Sequence, residues 1–386
     1  MNLDTATSIA DLRELHRRRV PKMFYDYAES GSWTESTFRW NEEDFARHRF
    51  KQRVAVDISD RSVRSTMLGL PVSMPVALAP TGLTGMQHAD GEILAAKAAE
   101  RFGVPFTLST MSICSIEAVA DAVQEPFWFQ LYVMRDRSYI ERLIQRAAAA
   151  QCSALMLTVD LQIMGQRHLD IKNGLSTPPK ITPRFIAELA RKPAWAMRML
   201  GTRNRGFGNV VGHVPGVENL RSLGAWSAEQ LDPSLTWEDA QWVRDQWPGK
   251  LVVKGIMCEE DAEAAVGVGA DAIVVSNHGG RQLDGAPSSI EVLPEIVRAV
   301  GERTEVWMDG GIRSGQDVLR AVALGAKGTL IGRAFLYGLG AGGEAGVSRC
   351  LELIQRELDL TMAFCGVTDI ADVDERILLS AARQRS

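Results

Sequence analysis

Residues 251–277 read "LVVKGIMCEEDAEAAVGVGADAIVVSN". An apolar run, "LVVKG", leads into the helix-like "EEDAEAAVGVG" (259–269) and then a second apolar run, "AIVVSN" (272–277). Neither apolar run alternates with polar residues, which predicts strands buried on both faces, as in a parallel sheet. Strand, helix and strand in that order predict one βαβ unit.

The unit recurs along the chain. Upstream stand "PVALAP" (75–80), "PFTLS" (105–109), "FWFQL" (127–131) and "ALMLTVD" (154–160), and downstream "VWMDGG" (306–311) and "GTLIGR" (328–333). Helical segments such as "GEILAAKAAERFG" (91–103), "SYIERLIQRAAAAQC" (138–152) and "GQDVLRAVALG" (315–325) lie between them. Eight strands alternating with helices predict an α/β fold, the (β/α)₈ TIM barrel, over an open doubly wound sheet. Residues 1–386 are expected to form a single domain, with 1–70 as an N-terminal helical cap. The uneven spacing after the fourth strand marks 170–235 as a long insertion.

Gross composition narrows the setting. The 386 residues are 46% hydrophobic and 24% charged, as in a globular protein. A formal charge of −5 offers no general attraction to nucleic acid. The five cysteines are scattered and include no Cys-x-x-Cys pair, so neither a disulfide framework nor a zinc site is expected, and no metal. The first residues hold no apolar core of signal-peptide length, and no run approaches the ~20 residues that span a bilayer. A cytoplasmic location is expected.

A barrel of this kind collects functional groups at the C-terminal ends of its strands. Those ends carry Pro80-Thr81-Gly82, Ser109, Gln130 with Tyr132, Thr158 with Asp160, Lys254, and Ser276 with His278 and Arg281. The last two carry Asp309-Gly310-Gly311-Ile312-Arg313 and Gly332-Arg333. A single Ser or Asp there reads as a helix N-cap. Polar groups at all eight ends, with arginines and a lysine among them, exceed what caps need.

Strands seven and eight end in "DGGIR" and "IGR", the usual phosphate position in such barrels. Glycines let backbone N–H groups approach the phosphate, and Arg313 and Arg333 add charge. No G-x-G-x-x-G follows an early strand, so a Rossmann-type nicotinamide site is unsupported. Gln130, Thr158 and Ser109 can hydrogen-bond a heteroaromatic ring, and Lys254 can face one that becomes anionic on reduction. These are the needs of flavin mononucleotide, FMN.

The stretch "SNHGGRQLDG" (276–285) resembles the signature of the FMN-dependent 2-hydroxy acid oxidases and dehydrogenases. The resemblance extends through "PKMFYDYAESG", "MPVALAPTG", "FTLST", "WFQLYVMRDR", "LTVD", "VKGI" and "GRAFLYGL", nearly the whole chain. It is greatest for bacterial quinone-linked L-lactate dehydrogenases and extends to mandelate dehydrogenase and glycolate oxidase. It implies oxidation of an (S)-2-hydroxy acid, with L-lactate to pyruvate as the leading case. Its alternatives are a peroxide-forming oxidase, a mandelate-type dehydrogenase or a peptide-modifying flavoenzyme. A flavin-binding scaffold needs none of the residues named next.

By this resemblance His278 is the base for the hydroxyl proton, and imidazole titrates near neutrality. Asp160 stabilises the protonated histidine, Arg281 and Arg167 anchor the carboxylate, and Tyr27 and Tyr132 touch substrate oxygens. Lys254 lies beside the flavin N1–O2 edge. Pro80, Thr81, Gly82, Ser109, Gln130, Thr158, Ser276, Asp309, Gly310, Gly311, Arg313, Gly332 and Arg333 complete the cofactor site. The two glycines after His278 are expected to leave room for substrate. Gly82 stands where the oxidases usually carry alanine, and Met111 where glycolate oxidase has tryptophan. These departures point to an acceptor other than oxygen and to lactate or a larger acid.

Within the insertion, "PKITPRFIAELARKPAWAMRMLGTRNRG" interleaves Lys180, Arg184, Arg191, Lys192, Arg198, Arg203 and Arg205 with apolar residues and Trp195. A basic amphipathic helix with a Trp reads as a membrane-surface element. A lid or a contact in a homotetramer is the other reading. Pro183 and Pro193 limit any one helix to about two or three turns.

Overall fold

The computed structural model describes residues 2–175, 183–214, 217 and 230–379. Eight parallel strands form a nearly closed (β/α)₈ barrel, as the sequence predicts. They are β3 (Val76–Leu78), β4 (Thr107–Ser109), β5 (Trp128–Tyr132), β6 (Ala154–Thr158), β7 (Lys250–Ile256), β8 (Ala272–Val275), β9 (Glu305–Met308) and β10 (Gly328–Ile331). Their neighbours run β3-β10-β9-β8-β7-β6-β5-β4, and a parallel bridge from Leu78 to Phe106 joins the two ends.

The lack of alternation in the strand sequences has its cause here, since both faces of each strand are covered. Inward-facing Trp128, Met156, Val252, Val274, Trp307 and Leu330 fill the barrel, with the two indoles stacked 5.2 Å apart. Outward-facing residues pack under the helices in a second, larger core. With the interior filled, only the strand ends can present a site.

The cap is not all helical. Helices α1 (Ile9–Arg19), α2 (Lys22–Glu29) and α3 (Ser36–Glu43) are followed by the antiparallel hairpin β1 (Ser65–Met67) and β2 (Leu70–Val72). The hairpin lies at the N-terminal ends of the strands, where the Leu68 N–H donates to Glu305 and Met67 packs against the first residue of β10. Strands of three residues are too short for alternation to reveal them. In the insertion, Pro183 and Pro193 each begin a short helix, Pro183–Ala190 and Pro193–Gly201, as their fixed φ favours.

Helix α1 docks on the C-terminal helix Arg333–Cys365 through His16, which has no solvent exposure. Its Nε2–H donates to Gln87 Oε1 at 2.8 Å, and Gln87 in turn donates to the Phe24 carbonyl. Burial, opposed only in part by the Gln87 bond, pushes the imidazole down from 6.5 to about 4. Between those values the unfolded chain binds a proton that the folded chain refuses. The stabilisation present above pH 6.5 is therefore lost as pH falls toward 4, by roughly 3 kcal/mol at most. We expect His16→Gln to lower the urea midpoint at pH 7 and to flatten its decline between pH 6.5 and 4.5. An unchanged decline would locate the acid sensitivity elsewhere.

Candidate active site

The C-terminal strand ends open into a cavity of about 720 Å³. Of the residues expected at the site, all but Gln130, Asp160 and Ser276 line it. Each of those three holds a residue that does. Gln130 Oε1 accepts from Ser109 Oγ at 3.1 Å, Asp160 Oδ1 faces His278 Nδ1 at 2.8 Å, and Ser276 Oγ is 2.7 Å from Lys254 Nζ.

His278 has φ +57, a left-handed conformation that is costly for a residue with a Cβ. Its backbone N–H donates to Ser276 Oγ at 3.1 Å, which helps to fix the turn. An ionised Asp160 only accepts, so the proton between them sits on Nδ1 and leaves Nε2 as the basic nitrogen. Burial lowers the His278 pKa, Asp160 opposes that, and Lys254 and Arg167 add to it. Burial works against the charge on Asp160, but His278 and Lys254 together hold its carboxyl below the ordinary 3.8. Both directions favour a neutral imidazole beside a carboxylate near pH 7.

Gly255 makes that pair possible. It has φ +109, β7 slips register against β8 there, and a Cβ would sit 2.7 Å from the Asp160 Cβ. The glycines after His278 also answer a packing need. Gly279 and Gly280 have φ +65 and +71, and added Cβ atoms would strike Arg333 Nη1 at 2.8 Å and the Phe38 backbone at 2.6 Å. They admit the cap and an arginine, and Gly279 also lines the cavity.

Arg281 is steered from the cap: its Nη1 donates to the carbonyls of Tyr27 at 2.6 Å and Ser30 at 2.9 Å. Its guanidinium lies over the Tyr27 ring at 4.6 Å. Its Nη2 is buried with no hydrogen-bond partner among the described residues. Arg167 starts the short helix His168–Lys172, and burial followed by repulsion from Arg281 lowers its pKa to about 10. Burial, reinforced by Asp160, raises the Tyr132 phenol above its ordinary 10, so it stays protonated and can donate.

Lys254 Nζ pairs with Asp309 Oδ2 at 3.0 Å. Burial disfavours its charge, yet Asp309 and Asp160 keep its pKa above the ordinary 10.5. At the expected phosphate end both arginines are partly committed. Arg333 donates to the carbonyls of Ala28, Gly279 and Ser30, and Arg313 to Glu42 and the Ile312 carbonyl. A guanidinium carries five N–H groups, so both retain donors for the cavity.

A flavin can be tested against the strand ends themselves. Gln130 Nε2, Thr158 Oγ1 and Asp309 Oδ1 are buried with no partner among the described residues. Buried polar groups are normally satisfied, and a ring edged with carbonyl and N–H groups above a polyhydroxyl chain supplies what these atoms lack. The residues fit the cofactor.

Several wall residues were not singled out from sequence. Leu161, Met164, Ile171, Leu175 and Phe207 make the outer cavity apolar, and Asp170 places a carboxylate beside the arginines. Asp170 lies three residues after Arg167, a spacing that puts both on one turn of a helix.

A barrel that gathers a histidine–carboxylate pair, neighbouring arginines and orphaned buried polar atoms at one mouth suits the flavin-dependent oxidoreductases. A family model described as FMN-dependent dehydrogenase matches residues 16–380, and the chain belongs to that family, with FMN as cofactor. It is 47% identical over 374 residues to an L-lactate dehydrogenase of Caulobacter vibrioides, covering 96% of this chain and 97% of that one. It is 43% identical over 374 residues to an L-lactate dehydrogenase of Acinetobacter baylyi, covering 97% of each. Among solved structures, the monotopic membrane protein (S)-mandelate dehydrogenase superposes with TM-score 0.93 at 37% identity, covering 97% of this chain and 99% of that one.

Two residues of the basic amphipathic stretch in the insertion turn inward. The Trp195 indole donates to the Met86 carbonyl at 3.0 Å and stacks on Phe24 at 5.5 Å, and Lys192 donates to the carbonyls of Arg17 and Arg18. Lys192 thus docks on α1, and Trp195 on α2 and the segment that follows β3. Among the described residues of the two short helices, Ile186, Met197 and Leu200 face outward. Lys180 and the side chains of Arg184 and Phe185 lie outside the described residues. Among the described residues no helix is long and apolar enough to cross a membrane.

Proposed function

We propose that this chain oxidises a small (S)-2-hydroxy acid, L-lactate to pyruvate in the leading case, and passes the electrons to a quinone or another acceptor that is not oxygen. One observation carries the reading: a partly buried His278 held by Asp160 shares a cavity with Arg281, whose Nη2 has no hydrogen-bond partner among the described residues. A 2-hydroxy acid needs a base for its hydroxyl and a fork for its carboxylate, held in one geometry. L-lactate is favoured by the names of relatives that match along nearly the whole chain.

In this reading Arg281 and Arg167 bind the carboxylate, and Tyr27 and Tyr132 orient the substrate through their hydroxyls. His278 Nε2 takes the hydroxyl proton, and Asp160 stabilises the imidazolium that results. FMN, when bound, would supply the acceptor for the hydride, proton and electron pair together, that leaves the substrate carbon as the carbonyl forms. Gln130, Thr158, Ser109 and the Pro80-Thr81-Gly82 turn would hold its ring. Lys254, set by Ser276, would face the edge that gains negative charge. Asp309, Gly310, Gly311, Arg313, Gly332 and Arg333 would hold its ribityl phosphate.

Gly82 supports the acceptor assignment. A Cβ there would meet the Tyr27 hydroxyl at 3.2 Å and Met111 Cβ at 3.4 Å, so alanine fits only if those neighbours yield slightly. Exposed Ile186, Met197 and Leu200, with exposed Arg191, Arg198 and Arg203, support peripheral contact with an anionic membrane on its cytoplasmic face. A homotetramer follows from the resemblance alone.

Purified protein is expected to be yellow, with one non-covalent FMN per chain. L-lactate should bleach it, a quinone or dichlorophenolindophenol should restore it rapidly, and air should do so slowly. A well-folded protein that takes up no flavin would sink the reading, and rapid reoxidation by air would move it to the oxidases. Co-sedimentation with anionic vesicles should weaken as salt rises. Binding no stronger than to neutral vesicles would leave the insertion as a lid.

A further inference from the structure

We propose that Asp170 is the positioning residue that sets the charge of the substrate, so that the site takes a 2-hydroxy monocarboxylate and rejects a dicarboxylate. The proposal rests on the carboxylate-binding reading of Arg281 and Arg167. It goes beyond that reading by assigning a role to an acid that proton transfer does not use.

Asp170 lines the cavity on the same short helix that Arg167 begins. Its Oδ2 stands 3.7 Å from Arg281 Nη2, inside ion-pair range and outside hydrogen-bond range. That separation decides the role. A hydrogen bond would occupy the donor that the substrate needs, whereas an ion pair at this distance offsets charge and leaves the donor free. The orientation of Arg281 is already fixed on its other side by the Tyr27 and Ser30 carbonyls. Asp170 Oδ1 is itself buried without a hydrogen-bond partner.

Two other basic groups near the reacting end each face a carboxylate. His278 faces Asp160, and Lys254 faces Asp309. Arg205, exposed at the cavity wall, is tied to the carbonyls of Thr202 and Leu200, and solvent screens its charge. Arg313 and Arg333 belong to the end expected to hold phosphate. The anchor set is then two cations and one anion, and a single substrate carboxylate neutralises it. A second carboxylate beside the anchors would meet Asp170 and be repelled by it. Arg167 shows the opposite strain, since burial and the neighbouring Arg281 already disfavour its charge.

The test uses FMN-loaded wild type, Asp170→Asn, Asp170→Ser and Asp170→Glu. Calorimetric titration gives Kd for pyruvate, a monoanion, and for oxalate, a dianion, and kinetics give kcat and KM for L-lactate and L-malate. In both neutral variants we expect preference to move toward oxalate and L-malate by about tenfold, and Asp170→Glu to keep the wild-type ratio. The serine variant guards against a folding defect peculiar to asparagine. If both neutral variants weaken the two anions equally, or leave the ratios unmoved, Asp170 only packs and the proposal falls. If wild type binds neither anion and oxidises no 2-hydroxy acid, the functional reading fails instead.

Discussion

His278→Gln is expected to yield a protein that still binds FMN but oxidises its substrate about 10²–10⁴-fold more slowly, the usual cost of removing a general base. Glutamine can keep a hydrogen bond to Asp160 but has no nitrogen that accepts a proton near neutrality. The loss should fall mainly on kcat, because the carboxylate anchors are separate residues. The pH dependence gives a second readout. His278 must be neutral to act, and burial lowers its pKa below the ordinary 6.5. kcat/KM in the wild type should therefore rise with pH through a value below 6.5 and be level at pH 7. The limb should vanish in the variant. Turnover within a few-fold of wild type would remove His278 from the base role.

The same residue shows what could be read without coordinates. The eight buried strands announced themselves by composition, because a strand covered on both faces can carry few polar residues until it ends. Polar residues at the ends then located the mouth. What could not be read was which distant segments press on it. Gly279 and Gly280 suggested free space, yet the structure fills that space with Phe38 and Arg333. Gly255 carried no message in sequence, although its φ of +109 and its missing side chain admit Asp160. Such constraints lie between segments far apart in the chain, and periodicity records only local neighbours.

The insertion makes the point for surfaces. Its amphipathic pattern was correct as a pattern, but a pattern does not say what covers the apolar side. Trp195 found Phe24 and the Met86 carbonyl, which left Met197 and Leu200 to face outward. A Trp that would suit a lipid interface suits equally a nearby ring and a free carbonyl. Asp170 was overlooked for a related reason. An acid near two arginines reads as an ordinary helix-turn partner until the 3.7 Å separation is known.

Arg281→Lys carries the other large expectation. An ammonium keeps the charge but loses the planar fork, and three of the functions of Arg281 depend on that plane. Its Nη1 ties the carbonyls of Tyr27 and Ser30, its face stacks on the Tyr27 ring, and its Nη2 has no hydrogen-bond partner among the described residues. A lysine reaching the same place can satisfy the cap carbonyls or the substrate carboxylate, not both. Loss of one charge-assisted hydrogen bond, worth about 1.5–3 kcal/mol, should lower kcat/KM roughly 10- to 100-fold. Most of that loss should appear in KM, with a smaller fall in kcat because Tyr27 loses its support. FMN content should be unchanged, since no ring-binding amide is touched. If KM stays near wild type while kcat alone collapses, Arg281 acts on the reacting bond, and the carboxylate must be anchored by Arg167 alone.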